Sequence, residues 1–442
     1  MYKKSIFWFR QDFRVQDNTG LYECVQNSEQ ILPIFILDST LIDGFWWLSD
    51  QKFWFIREAM EALSSNIRTL WGDGVVVLLG NPQELVPKLV KMYDIDAVFC
   101  NKSYGSYGTY RDSKIHETLS TLGCEMKSFA DFLLVEPHEV EQRKVFTPFF
   151  KLWLKKVPDV FPSRPICVFS QLKTPEKLDA VWDYIPLAKH PFFTLQFGRE
   201  RLEHSIRPDY EATRNTLDID GTSKLSVYLR FGVFSVREIY QRAKQVSSVY
   251  VSELAWREFW WHIFHYFPET KKQEFQEKRR HIVWSQDTKM FEKWCLWETG
   301  YPLVDAAMKQ LNTTNWMHGR ARMVVASFLT KDMHIDWRLW EQYFKQKLLD
   351  YDEAVNLGNW QWSASVWADP KPLRVFSPML QSEKFDPQTR FIQKYLPMLE
   401  GESIDAIHNP LENKLWYISP IVDHRVETHR ARELYKSWGS EV

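Results

Sequence analysis

Residues 75–101 read VVVLLGNPQELVPKLVKMYDIDAVFCN. VVVLLG is an uninterrupted apolar run of strand length, PQELVPKLVKMY has helical periodicity, and DAVFCN is a second apolar strand. Strand, helix, strand in one short stretch is the unit of a parallel sheet. The pattern extends both ways. Upstream come SIFWFR, then QDFRVQDNTGLYECV, a loop and a helix that Asp17 is placed to cap. ILPIFILD follows as a buried strand and SDQKFWFIREAMEALSSNIRTLW as a helix. Downstream, RDSKIHETLSTLG is a helix and EMKSFAD a last strand. Apolar strands without alternation are buried on both faces, so residues 1–130 are expected to form a Rossmann-like parallel α/β domain. A standard NAD site is not expected there, because WFRQDFR stands where GxGxxG would follow the first strand.

From 131 to 199 the periodicity weakens. VPDVFPSRPICVF and YIPLAKHPFF are proline-rich, and the segment reads as a long interdomain linker. From 200 to 442 the helical period dominates, in KLSVYLRFG, SVREIYQRAKQV, VYVSELAWREFWWHIFHYF, YPLVDAAMKQL, WMHGRARMVVASFLTK and WRLWEQYFKQKLLD. This half is expected to be an all-helical domain of short helices.

The 442 residues allow two or three domains, and 45% hydrophobic with 26% charged residues is globular composition. Net charge is −1, so attraction to nucleic acid must come from a local patch. Five scattered cysteines without a CxxC pair, no signal-peptide pattern and no apolar run of bilayer length lead to the expectation of a reduced, cytoplasmic protein without a membrane span, and a monomer is expected.

The tryptophans are distributed unevenly: five of 21 precede residue 131 and sixteen follow it. In NLGNWQWSASVW, residues 356–367, Trp360 and Trp362 alternate as on a strand, although the flanking stretches are helical. Indole is readily oxidised by one electron, and a series of indoles in near contact can carry a hole from a buried acceptor to the surface. Aromatic core is the default for any single one.

Other constellations carry chemistry. DGTSKLS, 220–226, sets glycine, hydroxyls and Lys224 before a helical run, which suits a phosphate or an ordinary N-cap. Glu253, Trp256 and Arg257 share one helix face, bordering either a cavity or solvent with an i, i+4 ion pair. Trp316, Gly319, Arg320 and Met323 fall at i, i+3, i+4, i+7, with a glycine inside the helix that admits something flat or a packed neighbour. Asp350 and Asp352 suit pairing with Arg322 or a heterocycle N–H better than a metal, and no metal site is expected. His262 and His265 read as core or rim residues. KKQEFQEKRRH, 271–281, reads as a solvated charged face.

At these residues the sequence resembles the DNA photolyase and cryptochrome family, end to end. IFWFRQDFRVQDNTGL, GTSKLS, SELAWREFWWHIF, TGYPLVDAAMKQLNTTNWMH, RARMVVASFLTKDMHIDWR and NLGNWQW follow in family order and spacing. The resemblance implies an α/β antenna domain, a linker and a helical domain holding FAD. Tyr210, Thr222, Ser223, Lys224, Leu225 and Ser226 would hold its phosphates and ribose. Tyr250, Arg257, Trp316, Arg322, Asp350 and Asp352 would line the flavin cavity, with Asn356 facing N5. Trp360, Trp337 and Trp284 would be the electron-transfer chain, in that order outward. Trp256 and Trp362 would wall a pocket for a flipped pyrimidine dimer, Glu253 would hydrogen-bond it, and Arg320 and Met323 would line it. The implied reaction is electron transfer from light-excited FADH− to a cyclobutane dimer in damaged DNA, ring splitting and return of the electron.

Four positions depart from the family pattern. Gly319 stands where dimer-repairing members carry Asn and (6-4) enzymes His, and Met323 stands at a second (6-4) histidine position. Lys224 replaces an arginine. SASVWADPKPLRVF is one residue short and carries Trp367 and prolines. SYGSYGTYRD lacks the glutamate of folate-binding members, leaving deazaflavin, FMN or no second chromophore as the expectation. A cryptochrome-type photoreceptor is the alternative reading. An ordinary flavin oxidoreductase would need an acid–base site with no candidate here, and a helical interaction module would carry no FAD.

Overall fold

In a computed structural model, the structure describes all residues except 44–49, 166–168, 173–191, 368–372, 414 and 437–442. Cys167 and the whole of ADPKP, 368–372, in the loop expected to be short therefore lie outside the described residues. Packing groups the chain into two units. One is Met1–Val140, Lys151–His204 and Lys224–Gln245; the other is Glu141–Phe150, Ser205–Ser223 and Val246–Val442. The boundaries at 130 and 199 follow element type, whereas this division follows contact.

The first unit is built on a parallel sheet: β1 (Tyr2–Phe9), β2 (Ser28–Asp38), β3 (Val76–Gly80), β4 (Ala97–Asn101), β5 (Glu125–Phe129) and a short β6 (Ser170–Gln171). The order is β3-β2-β1-β4-β5, with β6 beside β2. All pairings are parallel, from Ser5↔Ala97 between β1 and β4 to Ile34↔Val76 between β2 and β3. β4 is buried at every position, as its unbroken apolar run requires. Ile6, Trp8, Leu32, Ile34, Val98 and Ile115 form the core with Leu89 and Leu119 from the covering helices. Each such aliphatic side chain contributes about 1.5–3 kcal/mol on burial.

The helix in the opening stretch is Pro82–Tyr93, residue for residue as its periodicity predicts. Asn81 accepts from the Gln83 N–H, Pro82 supplies the fixed φ of a first turn, and Asp94 ends the helix in the left-handed region at φ 58°. The helix Thr19–Asn27 is capped differently from the expectation. Asn18 accepts from the Leu21 N–H, while Asp17 sits at φ 48° and cannot cap. The Asp17 carboxylate pairs instead with Arg237 at 2.7 Å and Arg164 at 3.0 Å. Arg237 also holds Asp131 at 2.7 Å, and Arg14 pairs with the same acid.

The stretch 131–199 contains regular structure that its prolines obscured. A helix spans Phe146–Lys156, and another begins at Leu195.

The second unit is helical. Its main helices are Ser248–Tyr266, Thr288–Cys295, Pro302–Thr314, Gly319–Ser327, Trp337–Lys347, Glu353–Ser363, Pro378–Phe385 and His424–Lys436. The Ser248–Tyr266 helix is capped by Ser247, whose hydroxyl accepts from the Tyr250 N–H, and buries eleven side chains including Trp260, Trp261 and His262. His262 accepts from the Arg143 N–H at 3.0 Å inside the core, and His265 is exposed at the rim.

Candidate active site

The Trp337–Lys347 helix presents Trp337, Trp340, Glu341 and Phe344, all buried, at i, i+3, i+4 and i+7. That single face meets the Glu353–Ser363 helix. Phe344 touches the Trp360 ring edge-on at 5.0 Å, and Trp340 stacks on it at 6.3 Å. Glu341 accepts from Tyr351 Oη at 2.5 Å and from Asn356 Nδ2 at 3.5 Å. Burial pushes the Glu341 carboxyl above the usual carboxylate range, against the hydrogen bond from Tyr351.

The strand-like alternation of Trp360 and Trp362 is not a strand. Asp352 caps a helix there by accepting from the Val355 N–H at 3.1 Å. Two residues along a helix is a turn of about 200°. Trp360 is therefore buried with Asn356 one turn before it, while Trp362 is half-buried under Arg374, whose guanidinium carbon lies 5.1 Å from the ring centroid. Gly358, one turn before Trp362, carries no side chain because the Trp260 ring packs there; a Cβ would come within 2.1 Å of it.

The acids at 350 and 352 do separate work. Both carboxylate oxygens of Asp350 accept from Arg322 Nη2, at 3.1 and 2.9 Å, and Arg322 Nε donates to Met317 O at 2.8 Å. Asp352 accepts from Trp261 Nε1 at 3.3 Å. Among the described residues, no group of three or more His, Cys, Asp or Glu side chains is placed to hold a metal ion.

Tyr250 Oη donates to Ser223 Oγ at 2.8 Å, and the Tyr210 ring lies 5.0 Å from that of Tyr250. Gly221 leaves no room for a side chain, since a Cβ would approach Thr213 O to 2.5 Å. Lys224 adopts φ 57°, and Leu225 precedes a helix that runs only from Ser226 to Arg230. The helical run expected after GTSKLS is thus one short turn.

Glu253 pairs with Arg214, not with Arg257. A cation arriving from another segment displaces the i, i+4 partner. Arg214 sits one turn past Tyr210, and its neighbour Asn215 accepts from Arg320 Nη2 at 2.8 Å. Trp256 is stacked by Phe146, centroids 3.7 Å apart and planes 5° from parallel.

Of the expected face of Trp316, Gly319, Arg320 and Met323, the last three share a helix and Trp316 lies outside it. Asn315 ends the preceding helix at φ 55°, and the next begins at Gly319 with His318 as its cap. Trp316 is buried in the turn between them. Gly319 is a first residue, exposed, with nothing within 4 Å of the position a Cβ would take.

The charged run 271–281 is not wholly solvated either. Glu274 and Arg279 are buried. Glu274 Oε1 accepts from Trp337 Nε1 at 3.2 Å and from Trp284 Nε1 at 3.3 Å, and its other oxygen pairs with Arg338 at 2.7 Å. Burial alone would raise the Glu274 carboxyl; the hydrogen bonds from Arg338, the backbone and Trp337 bring it below its ordinary value.

Sequence reasoning missed Glu341, Glu274, Arg214 and Phe146. Glu341 had a signal, a carboxylate in the middle of an aromatic helix face. Arg214 and Phe146 had none, because their partners lie far along the chain.

The second unit thus gathers hydroxyls (Thr222, Ser223, Tyr250), a guanidinium that stays partly exposed beside its buried acid (Arg322 with Asp350), and amide and carboxylate groups beside indoles (Asn356, Asp352). That donor set fits a flavin dinucleotide: hydroxyl and cation for phosphate and ribose, amide and carboxylate for the ring's polar edge.

Such an assembly defines a two-unit flavoprotein class, and the comparisons name it. Residues 5–166 match the family described as DNA photolyase, and residues 250–437 match the FAD binding domain of DNA photolyase. The deoxyribodipyrimidine photo-lyase of Vibrio cholerae is 34% identical, with 98% of this chain and 99% of that protein covered. That of Synechococcus sp. is 32% identical, with 97% and 96% covered. The archaeal photolyase of Sulfolobus tokodaii, solved with two FAD molecules, superposes with a TM-score of 0.90 at 32% identity, covering 98% of this chain and all of that one (100%). The Synechocystis cryptochrome gives a TM-score of 0.90 at 26% identity, covering 98% and 99%. The chain belongs to the DNA photolyase family.

Proposed function

We propose that this chain is a light-driven DNA repair enzyme, a deoxyribodipyrimidine photo-lyase that binds FAD and splits cyclobutane pyrimidine dimers in damaged DNA. The observation that carries the reading is similarity over essentially the full length of relatives with that name, 34% identical to one of which 99% is covered. Reduced FAD, when bound, supplies the light-driven electron.

The chain's own residues bind, orient and exclude water. Tyr210, Thr222, Ser223, Lys224, Leu225 and Ser226 hold the cofactor's phosphates and ribose, and Tyr250, Arg257, Trp316, Arg322, Asp350 and Asp352 line its ring. Asn356 presents its amide to N5, steadied by Glu341. Trp256 and Trp362 offer stacking faces to an extruded dimer, which costs less to unstack than an intact base pair. Glu253, held by Arg214, accepts from the dimer, with Arg320 and Met323 beside it. Trp360, Trp337 and Trp284 relay electrons inward to recharge an oxidised cofactor.

A second, light-harvesting chromophore belongs, on this reading, in the crevice at the carboxyl ends of β1 and β4, where the strand order reverses. Arg10 and Arg111 flank the Trp8 ring there at 4.9 and 4.7 Å. The enzyme is read as a cytoplasmic monomer. Among the described residues, no helix is long and apolar enough to cross a membrane.

The test is photoreduction of dark-purified protein, then blue light with a thymine-dimer oligonucleotide. Recovery of thymine absorbance that requires both light and FAD is the expected result. No recovery, with flavin photoreduction intact, would favour a cryptochrome-type photoreceptor or another lesion and would point to Gly319.

A further inference from the structure

Two pairs of buried tryptophans lie beyond Trp360, and ring contacts join one of them to it among the described residues. One is a chain of ring contacts: Trp340 stacks on Trp360 at 6.3 Å, and Trp294 lies 3.6 Å from Trp340. The other is the relay proposed above, Trp337, one turn before Trp340 on the same helix face, and Trp284. The two pairs differ in charge. The indole N–H groups of Trp340 and Trp294 have no hydrogen-bond acceptor among the described residues. Those of Trp337 and Trp284 both donate to one oxygen of Glu274.

We propose that Glu274 is the fixed counter-charge that directs an electron hole onto the Trp337 and Trp284 pair instead of the Trp340 and Trp294 branch. The inference rests on the light-driven function proposed above. An indole that loses an electron becomes a cation. A carboxylate hydrogen-bonded to it through a single N–H in a buried site stabilises that cation far more than water would, because the local dielectric is low. Glu274 touches both indoles at once, so the stabilisation follows the hole from one to the other.

The step balances simply. One electron leaves the indole of Trp284 for the excited, oxidised flavin by way of Trp337 and Trp360. No N–H bond breaks, since Arg338 keeps the carboxylate a weak base. An exogenous thiol later returns one electron to the indole and is itself oxidised. The charged and titratable groups around Glu274 are Arg338, Asp336 behind it, Arg280, whose Nε donates to Glu274 O at 3.0 Å, and Tyr435 with Arg279 stacked on it. Arg338 is the one that reaches the carboxylate itself.

The test is laser-flash and steady-state photoreduction of the full FAD-carrying chain, comparing wild type with Glu274→Gln, Trp337→Phe and Trp340→Phe. Glu274→Gln keeps an acceptor oxygen and loses the charge. It is expected to slow photoreduction at least about fivefold and to shorten the life of the tryptophan radical cation seen by its transient absorption. In the dark, it should also shift the indole N–H proton resonances of Trp337 and Trp284 together. Trp340→Phe is expected to have little effect. If Glu274→Gln photoreduces like wild type while Trp337→Phe is slow, the assignment of Glu274 is overturned and the relay stands. If wild type itself does not photoreduce, the relay reading falls and this inference with it. Arg338→Gln gives an independent test should Glu274→Gln fold poorly. Without its guanidinium partner the carboxyl titrates higher, so photoreduction should decline as the solution is acidified through a range where wild type is flat. A flat profile in Arg338→Gln would overturn the proposal.

Discussion

Phe146 lies flat on Trp256, with ring centroids 3.7 Å apart and planes 5° from parallel. One face of the indole is therefore occupied from within the protein, and its orientation is fixed before any base arrives. Phe146→Ala frees that ring, and holding it again on binding costs about 0.5–1 kcal/mol of rotamer freedom. Affinity for a dimer-containing oligonucleotide should weaken roughly two- to fivefold with FAD content unchanged, measured by fluorescence anisotropy against the undamaged strand. Equal affinity would reduce Phe146 to packing.

Glu253→Ala removes the group proposed to hold the dimer and leaves Arg214 without its anion. Repair per absorbed photon should drop at least about threefold while FAD is retained, since a hydrogen bond to a charged group is worth about 1.5–3 kcal/mol. The measurement is quantum yield on pre-reduced enzyme. An unchanged yield would take Glu253 out of the pocket.

Trp360→Phe should slow photoreduction of oxidised enzyme by an order of magnitude or more, because phenylalanine is far harder to oxidise than indole. Repair by chemically pre-reduced enzyme should stay within about twofold of wild type, the ring's packing against Trp340 and Phe344 being largely kept. Loss of both activities in parallel would show that the residue does more than recharge the cofactor.

Asp131 is a test of stability. Burial alone would raise its carboxyl, but Arg14 and Arg237 hold it down to about 2. The sign follows: a depressed carboxyl stabilises the fold above its ordinary value near 3.8 and loses that contribution as pH falls through about 2. Asp131→Asn leaves two buried guanidinium groups short of an anion and should cost about 3–5 kcal/mol. Melting of wild type should therefore fall more steeply between about pH 4 and pH 2 than melting of the variant. Parallel curves would mean that Asp131 is not the titrating group.

Much of this was legible in sequence because it is periodic. Apolar runs gave the strands, and helical spacing gave most helices of the second unit. The failures are local competitions that periodicity cannot rank. Asp17 and Asn18 are both capable caps, and only the positive φ of Asp17 decides between them. Asn315 in the left-handed region breaks what looked like one helix face from Trp316 to Met323. Glu274 was hidden by its neighbours, for a charged run reads as solvent-facing until two indoles and an arginine arrive from elsewhere. Trp360 and Trp362 were recognised as different kinds of residue, but the reason is the helix that separates them.

That helix acts as an insulated divider. Its two tryptophans sit back to back across the backbone, so the wiring that refills the cofactor and the wall that would grip a lesion can be altered independently by substitution. They cannot be altered independently by length. Removing one residue between Asn356 and Trp360 would turn everything beyond it by about 100°. It would swing Trp362 off its side and take Trp360 out of line with Trp340. Drift in this segment is therefore confined to side-chain exchange, and gaps in homologous chains should fall outside it.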